Sequence, residues 1–254
     1  MDQLTFLGTG TSTGVPMIGC SCSVCRSPNA KDKRMRSSVW IQAGGMSVVI
    51  DTSTDFRTQA LAVGMTALDA VFFTHYHADH IHGIDDLRSF NFIHNRAIEC
   101  YGGADALERI RGMFGYIFDG RPDTGGGKPR LELNAITAPV TVGGLTVEPI
   151  PVMHGELEVY GYRVNKTAYV TDCSRIPEPS LRRLEGLDCL ILGALGIKSH
   201  PTHFTLEQAL AAISTLAPKR AYLTHLNHNI GHDEVSANLP PNVFLAYDGL
   251  AIGI

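Results

Sequence analysis

The chain has 254 residues, of which 44% are hydrophobic and 18% charged, a composition that excludes full disorder and is typical of a globular protein with a core. Its net charge of −4 gives no basic surface for long nucleic acids, so nucleic acid is not an expected partner. No apolar run approaches the roughly 20 residues of a membrane span, and the N-terminus MDQLTFLGTG lacks signal-peptide features, so we expect a cytoplasmic protein without a membrane partner.

Predicted strands and helices alternate along the chain, and we expect them to form a single domain over residues 1–254. The strand at 4–10 runs into a glycine-rich turn, and strands at 37–42 and 46–54 form a hairpin. The other predicted strands are 68–75, 97–103, 141–154, 159–165, 167–173, 187–195, 220–228 and 243–254, and the predicted helices are 56–65, 103–116, 176–185 and 205–217. Polar clusters follow the strands, which predicts sheets covered by helices with a site at the strand ends.

The segment THYHADHIHG, residues 74–83, contains four histidines and an aspartate directly after a predicted buried strand. We expect it to form a turn that leads into a helix. His75 and His77 are two residues apart and can converge on one metal, while Asp79 and His80 would face a neighbouring site. Solvated or core histidines are the alternative, but four within eight positions favour metal ligands.

Three later strands each end on a residue that can bind a metal. The strand IPVMH ends at His154, AYVTD ends at Asp172 and AYLTH ends at His225. Each of these signals is weak alone, because histidine and aspartate are common at strand ends. In this order, after the histidine-rich segment, they indicate further ligands of the same metal centre.

The HYHADH segment matches the HxHxDH motif of the metallo-β-lactamase-fold hydrolases, which the chain resembles from FLGTGTSTGVP to YDGLAIGI. The resemblance implies an α/β fold, a four-layer αββα sandwich. It also implies that Asp51, which closes VVID, orients the metal ligands without binding a metal itself. The implied ligands are His75, His77 and His154 for one metal, Asp79, His80 and His225 for a second metal, and Asp172 as the bridge.

Two metals held in this way can generate a bridging hydroxide at neutral pH and offset a developing negative charge. The predicted nitrogen and oxygen ligands suit two catalytic divalent metals, either Zn²⁺ or Mn²⁺. Asp79 is also a catalytic candidate, because a metal-bound carboxylate that keeps one oxygen free can accept the proton of the attacking water.

A second cluster, GCSCSVCRS, contains Cys20, Cys22 and Cys25 in a glycine- and serine-rich loop. In a cytoplasmic protein this spacing predicts one structural zinc, with His228 of THLNHN as the fourth ligand. Buried small side chains and redox thiols are the alternatives. The other cysteines lie in apolar runs and are predicted core residues: Cys100, Cys173 and Cys189.

The metal motif and the cysteine loop together resemble the phosphoribosyl 1,2-cyclic phosphate phosphodiesterases of bacterial phosphonate breakdown. In that family GVP, C-x-C-x-x-C, HxHxDH and THxxH occur in the order found here. The resemblance implies attack of a metal-bridging hydroxide on a small cyclic phosphate, with a histidine outside the metal shell protonating the leaving oxygen. The matching residue is His203 in HPTHFTLEQAL, with His200 as the local rival and a merely solvated His203 as the alternative.

Other functions share the metal motif. A tRNase Z-like endonuclease would carry a basic arm, but the predicted surface loop 118–130 has only three basic residues against Asp119 and Asp123. A thioester hydrolase of the glyoxalase II type lacks the cysteine cluster. A metal-binding or sensor protein without activity would tend to have lost some of the seven ligands.

We therefore predict a dinuclear metal-dependent phosphodiesterase that acts on a small phosphodiester. The substrate loops, 84–96 and 113–131, are where we expect divergence between related enzymes, so the natural substrate stays open. The native catalytic metal and the oligomeric state also stay open, with a homodimer as one option.

Overall fold

Two mixed β-sheets form the centre of the protein, whose computed structural model describes residues 2–121 and 127–254. The first sheet contains β1 (Gln3–Gly8), β2 (Ser38–Ala43), β3 (Met46–Ile50), β4 (Ala70–Phe72), β5 (Ile98–Gly102), β6 (Leu131–Ala135) and β14 (Ala251–Gly253). The second contains β7 (Val140–Val142), β8 (Leu145–His154), β9 (Leu157–Val164), β10 (Thr167–Val170), β11 (Cys189–Gly193), β12 (Arg220–Thr224) and β13 (Val243–Leu245).

The strand order places the carboxyl ends of several strands at one edge. The first sheet has the order β14-β1-β2-β3-β4-β5-β6, and β3 to β6 run parallel. The second sheet has the order β13-β12-β11-β10-β9-β8-β7, and β10 to β13 run parallel. Residues that follow parallel strands meet at the same end of a sheet, so each sheet can contribute several side chains to one site.

The predicted hairpin across Gly44 and Gly45 is confirmed, since β2 and β3 pair antiparallel up to Ala43 and Met46. Both glycines have positive φ, 58° and 76°, which the tight turn of a two-residue hairpin needs because its twist must match that of the strands.

Helices cover the outer faces of both sheets, which confirms the predicted αββα sandwich. The helices of the described residues are α1 (Ser23–Arg26), which lies in the cysteine loop, α2 (Phe56–Ala62), α3 (Ala78–Ile81), α4 (Arg88–His94), α5 (Ala104–Met113), α6 (Gly115–Phe118), α7 (Glu178–Arg183), α8 (Leu206–Leu216) and α9 (His232–Ser236). Helix α8 begins at a capping box, in which the Thr205 hydroxyl accepts from Gln208 N and the Gln208 side chain accepts from Thr205 N. No helix in residues 2–121 or 127–254 is long and apolar enough to cross a membrane.

Three apolar layers hold the sandwich together, as burial of apolar surface is the main force that stabilises packed elements. Phe6, Phe72 and Tyr162 lie in the layer between the sheets. The outer layers pack α2, α4 and α5 on the first sheet and α7 and α8 on the second. The cysteines that we predicted to be core residues are buried in these layers: Cys100, Cys173 and Cys189.

Several boundaries differ from the sequence predictions. The predicted loop 84–96 contains a 3-10 turn at Ile84–Leu87 and helix α4, and β6 was not predicted. The helix predicted over 103–116 ends at Met113, and the strand predicted over 243–254 is two strands in different sheets. Of the predicted loop 118–130, residues 122–126 lie outside the described residues, and 119–121 and 127–130 are neither helix nor strand.

Candidate metal centre

The seven predicted metal ligands lie together at the edge where the strands end. His154 is the last residue of β8, and His225 follows β12 directly. Asp172 follows β10, and the HxHxDH segment connects β4 to α3. Among these residues Asp172 and His225 have positive φ, 49° and 58°, and Asp51 after β3 has 63°. Non-glycine residues seldom adopt this conformation, and where they do they often mark functional sites.

The ligand atoms of the predicted residues are close enough to share metal ions. Within each group all ligand atoms lie within 4.8 Å of one another, and the groups are His75 with His77 and His154, His75 with His80 and Asp172, and Asp79 with Asp172 and His225. Asp172 belongs to two of the groups, which is the position that a bridging carboxylate needs. The geometry therefore brings all seven residues together, while their binding of metal stays a prediction.

Hydrogen bonds on the far side of the imidazole rings fix their orientation. The buried Asp51 carboxylate accepts from the Thr74 amide and hydroxyl, both at 2.8 Å, and from His80 Nδ1 at 2.7 Å. The Thr74 hydroxyl in turn lies 2.9 Å from His75 Nδ1, and His154 Nδ1 donates to the Thr202 carbonyl at 2.8 Å. The Nδ1 atom therefore makes the contact with the protein in three rings, and Nε2 is the nitrogen that can bind a metal. These rings belong to His75, His80 and His154.

The environment of His80 Nε2 tests whether a metal fits this cluster. This atom is fully buried and has no hydrogen-bond partner among the described residues. It faces oxygens of Asp79 at 3.3 Å and Asp172 at 3.5 Å. A nitrogen lone pair beside two carboxylates is repulsive unless a cation or a proton lies between them, so the donor set fits a divalent metal.

The same charges shift the pKa values of the cluster. Burial opposes a positive charge on His80, but the carboxylates of Asp172, Asp51 and Asp79 outweigh it and raise the pKa of that ring well above its usual value. Burial also opposes ionisation of Asp172, but His225 and His80 hold the pKa of that carboxyl well below its usual range. Without metal a proton on His80 compensates the carboxylates, and a divalent cation would replace that proton.

We expect Asp51→Asn to weaken metal binding, because an amide cannot accept from the Thr74 amide, the Thr74 hydroxyl and His80 Nδ1 at the same time. Loss of such an orienting partner typically lowers metal affinity about 10–100-fold. Titration of the metal-free protein with Zn²⁺ or Mn²⁺ measures the change. Asp55→Asn is the matched control, because Asp55 pairs with Arg36 outside the cluster, and equal affinity in the two variants would contradict the role of Asp51.

His203 lies beside the cluster, in the loop before α8. Its ring centroid is 4.6 Å from that of His154 and 5.0 Å from that of His225. One of its ring nitrogens also lies within 4.8 Å of ligand atoms of His154 and Asp172, so the geometry allows either an acid beside the metals or a further ligand. Burial and the neighbouring His225 lower the pKa of His203 to about 3, so its ring is neutral until a negative charge approaches it.

His200 is more exposed and is turned toward its own loop. Its Nδ1 lies 3.2 Å from the Thr202 hydroxyl, and its ring centroid is 5.0 Å from that of His203. His200 contacts none of the seven predicted ligands in the described part of the chain, whereas His203 stacks on His225 and meets His154 edge to face. The geometry therefore favours His203 over His200 as the acid.

The predicted structural zinc ligands also lie together. Sγ of Cys20, Cys22 and Cys25 and a ring nitrogen of His228 all lie within 4.8 Å of one another, and His228 Nδ1 is 3.2 Å from Cys20 Sγ. A hydrogen bond from the Cys25 amide lowers the pKa of Cys22 to about 6, so this thiol ionises readily. The four residues form the ligand set of a Cys₃His zinc site, and the bound metal itself stays a prediction.

This cysteine cluster holds the N-terminal loop against the catalytic edge. Beside it Leu226 N donates to the Thr9 carbonyl at 2.8 Å, and Thr11 N donates to the Leu226 carbonyl at 3.2 Å. Leu226 directly follows His225, so the loop that carries the cysteines also positions a predicted catalytic ligand.

Of the groups that orient the rings, the sequence analysis named Asp51 but neither Thr74 nor the Thr202 carbonyl. Thr74 stands at the end of a buried strand beside His75, and a polar residue in that position was a usable signal. The Thr202 carbonyl that orients His154 is a backbone group 48 positions away, so no residue type in the sequence indicates it.

Comparisons with known proteins agree with this geometry. A family model described as a β-lactamase superfamily domain matches residues 47–226. An octanoyltransferase of Porphyromonas gingivalis is 41% identical over 249 residues, which are 96% of this chain and 50% of that protein. A ribonuclease Z of Bradyrhizobium diazoefficiens is 26% identical over 170 residues, covering 64% of this chain and 49% of that enzyme. The chain therefore spans about half the length of these two relatives.

A solved structure shows the likeness over the whole chain. It is described as a new diphosphatase from the PhnP family and superposes with a TM-score of 0.93 at 41% identity, covering 100% of this chain and 98% of that one. Together with the match of the family model, this shows that the chain belongs to the β-lactamase superfamily and has the metallo-β-lactamase fold.

Proposed function

We propose that the protein is a dinuclear metal-dependent phosphodiesterase that hydrolyses a small cyclic phosphate, either phosphoribosyl 1,2-cyclic phosphate or a similar ester. The observation that carries the proposal is the position of His203, an imidazole beside the cluster of predicted ligands and within reach of a group bound there. The 41% identical structure described as a PhnP-family diphosphatase supports phosphate chemistry at this site.

Two divalent metals in the cluster, of a kind that the fold implies, would supply a nucleophilic water at neutral pH and offset the charge of the phosphate. The seven residues His75, His77, Asp79, His80, His154, Asp172 and His225 would hold them. Asp51 and the Thr202 carbonyl keep the rings in the orientation that binding requires. The carboxylate of Asp79 would accept the proton of the attacking water.

His203 gives a proton to the leaving alkoxide. In the free protein burial and His225 keep its ring neutral, and the negative charge of a bound phosphate opposes both effects and favours the protonated ring. An alkoxide is a poor leaving group without a proton, so the reaction needs an acid at this place.

The basic residues of the loop 118–130 favour a small substrate over tRNA. Lys128 Nζ donates to Asp119 at 2.5 Å, and the Arg130 guanidinium donates to the Asn91 carbonyl at 2.9 Å. Two of the three cations are thus engaged within the fold, which leaves little charge for a clamp on a phosphate backbone.

The second candidate function is hydrolysis of an acyl ester or thioester. The observation that favours it is the 41% identical relative, which is an octanoyltransferase by name. Only half of that protein corresponds to this chain. The acyl transfer therefore belongs to a protein whose other half lies outside the match.

A panel of four substrates separates these functions. We expect the purified protein to hydrolyse bis(p-nitrophenyl) phosphate and a 2′,3′-cyclic nucleotide faster than a thioester or a pre-tRNA. Faster turnover of the thioester would favour the second candidate, and faster cleavage of the pre-tRNA would favour an endonuclease.

Mild chelation should remove the catalytic metals and the activity together. We expect turnover of bis(p-nitrophenyl) phosphate to fall to background as elemental analysis shows the loss of two metal ions per chain, and to return with Zn²⁺ or Mn²⁺. If the chelated protein hydrolyses this substrate as fast as the untreated protein, catalysis by metals at the cluster is wrong.

A further inference from the structure

A carboxylate that the proposed mechanism does not use joins two segments beside the predicted ligand His225. Asp248 belongs to the connection between β13 and β14, which crosses from the second sheet to the first. Its Oδ1 accepts from the Thr9 hydroxyl at 2.7 Å, and its Oδ2 accepts from the Met35 amide at 2.6 Å. Asp248 therefore connects the loop that follows β1 with the segment that precedes β2.

Both of these segments contact the ring of His225. The Thr11 hydroxyl lies 3.3 Å from Nε2 of the ring, and the Ser37 hydroxyl lies 3.2 Å from Nδ1. Ser37 also donates to the Gly10 carbonyl at 2.9 Å, so the two segments are connected here a second time. Thr11, Ser37 and His225 are all buried, which leaves the ring little room to turn.

The loop after β1 also holds the backbone next to His225. The Thr9 carbonyl accepts from Leu226 N at 2.8 Å, while the hydroxyl of the same threonine donates to Asp248. His225 has a φ of 58°, a conformation that a non-glycine residue keeps only where its surroundings enforce it. Thr9 thus links the Asp248 carboxylate to the backbone that this conformation of His225 depends on.

The charge of Asp248 suits this role. Burial raises the pKa of its carboxyl to about 6, while the Met35 amide and the Thr9 hydroxyl favour the charged form, so the group is mainly ionised at neutral pH and can accept both hydrogen bonds. The guanidinium of Arg34 also favours that charge. Asp248 belongs to none of the groups of described residues that could hold a metal, so its carboxylate is not a candidate ligand.

We propose that Asp248 is a positioning residue for His225, because its carboxylate ties Thr9 to Met35 and so holds two hydroxyl-bearing segments against the ring of that ligand. The inference rests on the proposed metal centre and adds to it a residue that binds neither metal nor substrate. Its effect falls on the second predicted metal, since within residues 2–121 and 127–254 the two segments hydrogen-bond to no predicted ligand except His225.

Titration of the chelated protein with Co²⁺, followed by its visible absorption, tests the inference. Asp248→Ala should bind the second Co²⁺ ion of the cluster about tenfold more weakly, which is the lower end of the effect of an orienting partner, because Asp248 acts through Thr9. The first ion, predicted at His75, His77 and His154, should bind with the affinity of the unaltered protein.

Two variants of Thr9 keep the test valid if Asp248→Ala folds poorly. Thr9→Val removes the hydroxyl that donates to Asp248 and nearly keeps the shape of the side chain, whereas Thr9→Ser keeps the hydroxyl. We expect Thr9→Val to weaken binding of the second ion as Asp248→Ala does, and Thr9→Ser to bind it normally. The double variant Thr9→Val/Asp248→Ala should lose little more than either single variant, because the two residues act as a pair.

Asp188→Ala is the matched control and should bind both ions normally. Asp188 is half-buried like Asp248, but it pairs with Lys219 before the start of β11, at the end of the sheet away from the predicted ligands. Unchanged affinity for the second ion in Asp248→Ala, or equal weakening in Thr9→Val and Thr9→Ser, would overturn the inference. The expected binding pattern without any hydrolysis of bis(p-nitrophenyl) phosphate would refute the proposed activity and leave the role of Asp248 intact.

Discussion

His203→Ala should lower the turnover of a substrate with an alkoxide leaving group by roughly 10²–10⁴-fold, the usual worth of a general acid. The same variant should lose far less on bis(p-nitrophenyl) phosphate, because p-nitrophenolate leaves without a proton. The difference between the two losses measures proton donation, since any damage to the metal centre would slow both substrates alike.

Metal content separates the two roles that the geometry allows for His203. If His203 is an acid beside the metals, the His203→Ala variant should keep the metal content of the unaltered protein. If His203 is a ligand together with His154 and Asp172, the variant should contain less metal. His200→Ala is the matched control and should change turnover little, because His200 contacts His203 and its own loop but none of the predicted ligands. Equal losses on both substrates would show that His203 positions the substrate or binds metal, and the acid would then have to be another residue.

Cys22→Ser should lose the structural zinc and unfold at a lower temperature. Cys22 Sγ lies 3.5 Å from His228 Nδ1 and accepts from the Cys25 amide, and its pKa of about 6 makes it the thiolate that zinc prefers at neutral pH. Metal binding to a site that exists only in the folded chain adds to folding free energy, on the order of 10 kcal/mol in small zinc modules. In this larger fold the loss should appear as a drop of several degrees or more in Tm.

Ser23→Ala is the control for this variant, because Ser23 is exposed in the same loop and is not a predicted ligand. Zinc content is measured after the mild chelation that removes the catalytic metals. A Cys22→Ser protein with the zinc content and melting temperature of the unaltered protein would contradict the site. A variant that loses zinc but keeps its Tm would contradict its structural role.

Local patterns predicted sheets covered by helices and candidate ligands at strand ends, whereas the four-layer arrangement and the grouping of the ligands came from the resemblance to the metallo-β-lactamase-fold hydrolases. Each predicted ligand follows a short apolar strand. The two-residue spacing of His75 and His77 can be recognised in the sequence without knowledge of the fold. The cysteine spacing in the loop 20–25 is equally local, and only its partner His228 required a distant pairing.

Other features depend on contacts that no local pattern encodes. Helix α4 was missed because RSFNFIH has exposed apolar residues, Phe92 and Ile93, where an amphipathic helix would have polar ones. The Thr202 carbonyl that orients His154 was missed because it is a backbone group 48 positions away in sequence. Residue type carries no information about such groups.

The cysteine cluster has a consequence for the order of assembly. Cys22 and His228 are 206 positions apart, so they meet only after nearly all of the chain has been synthesised, and contacts of such separation form slowly. His225 lies three residues before His228, so zinc that immobilises the one also restricts the other. The conformational freedom that this segment would lose when a catalytic metal binds His225 is then already reduced by the zinc. Zinc bound at the cysteine cluster would therefore favour later binding of a metal by His225.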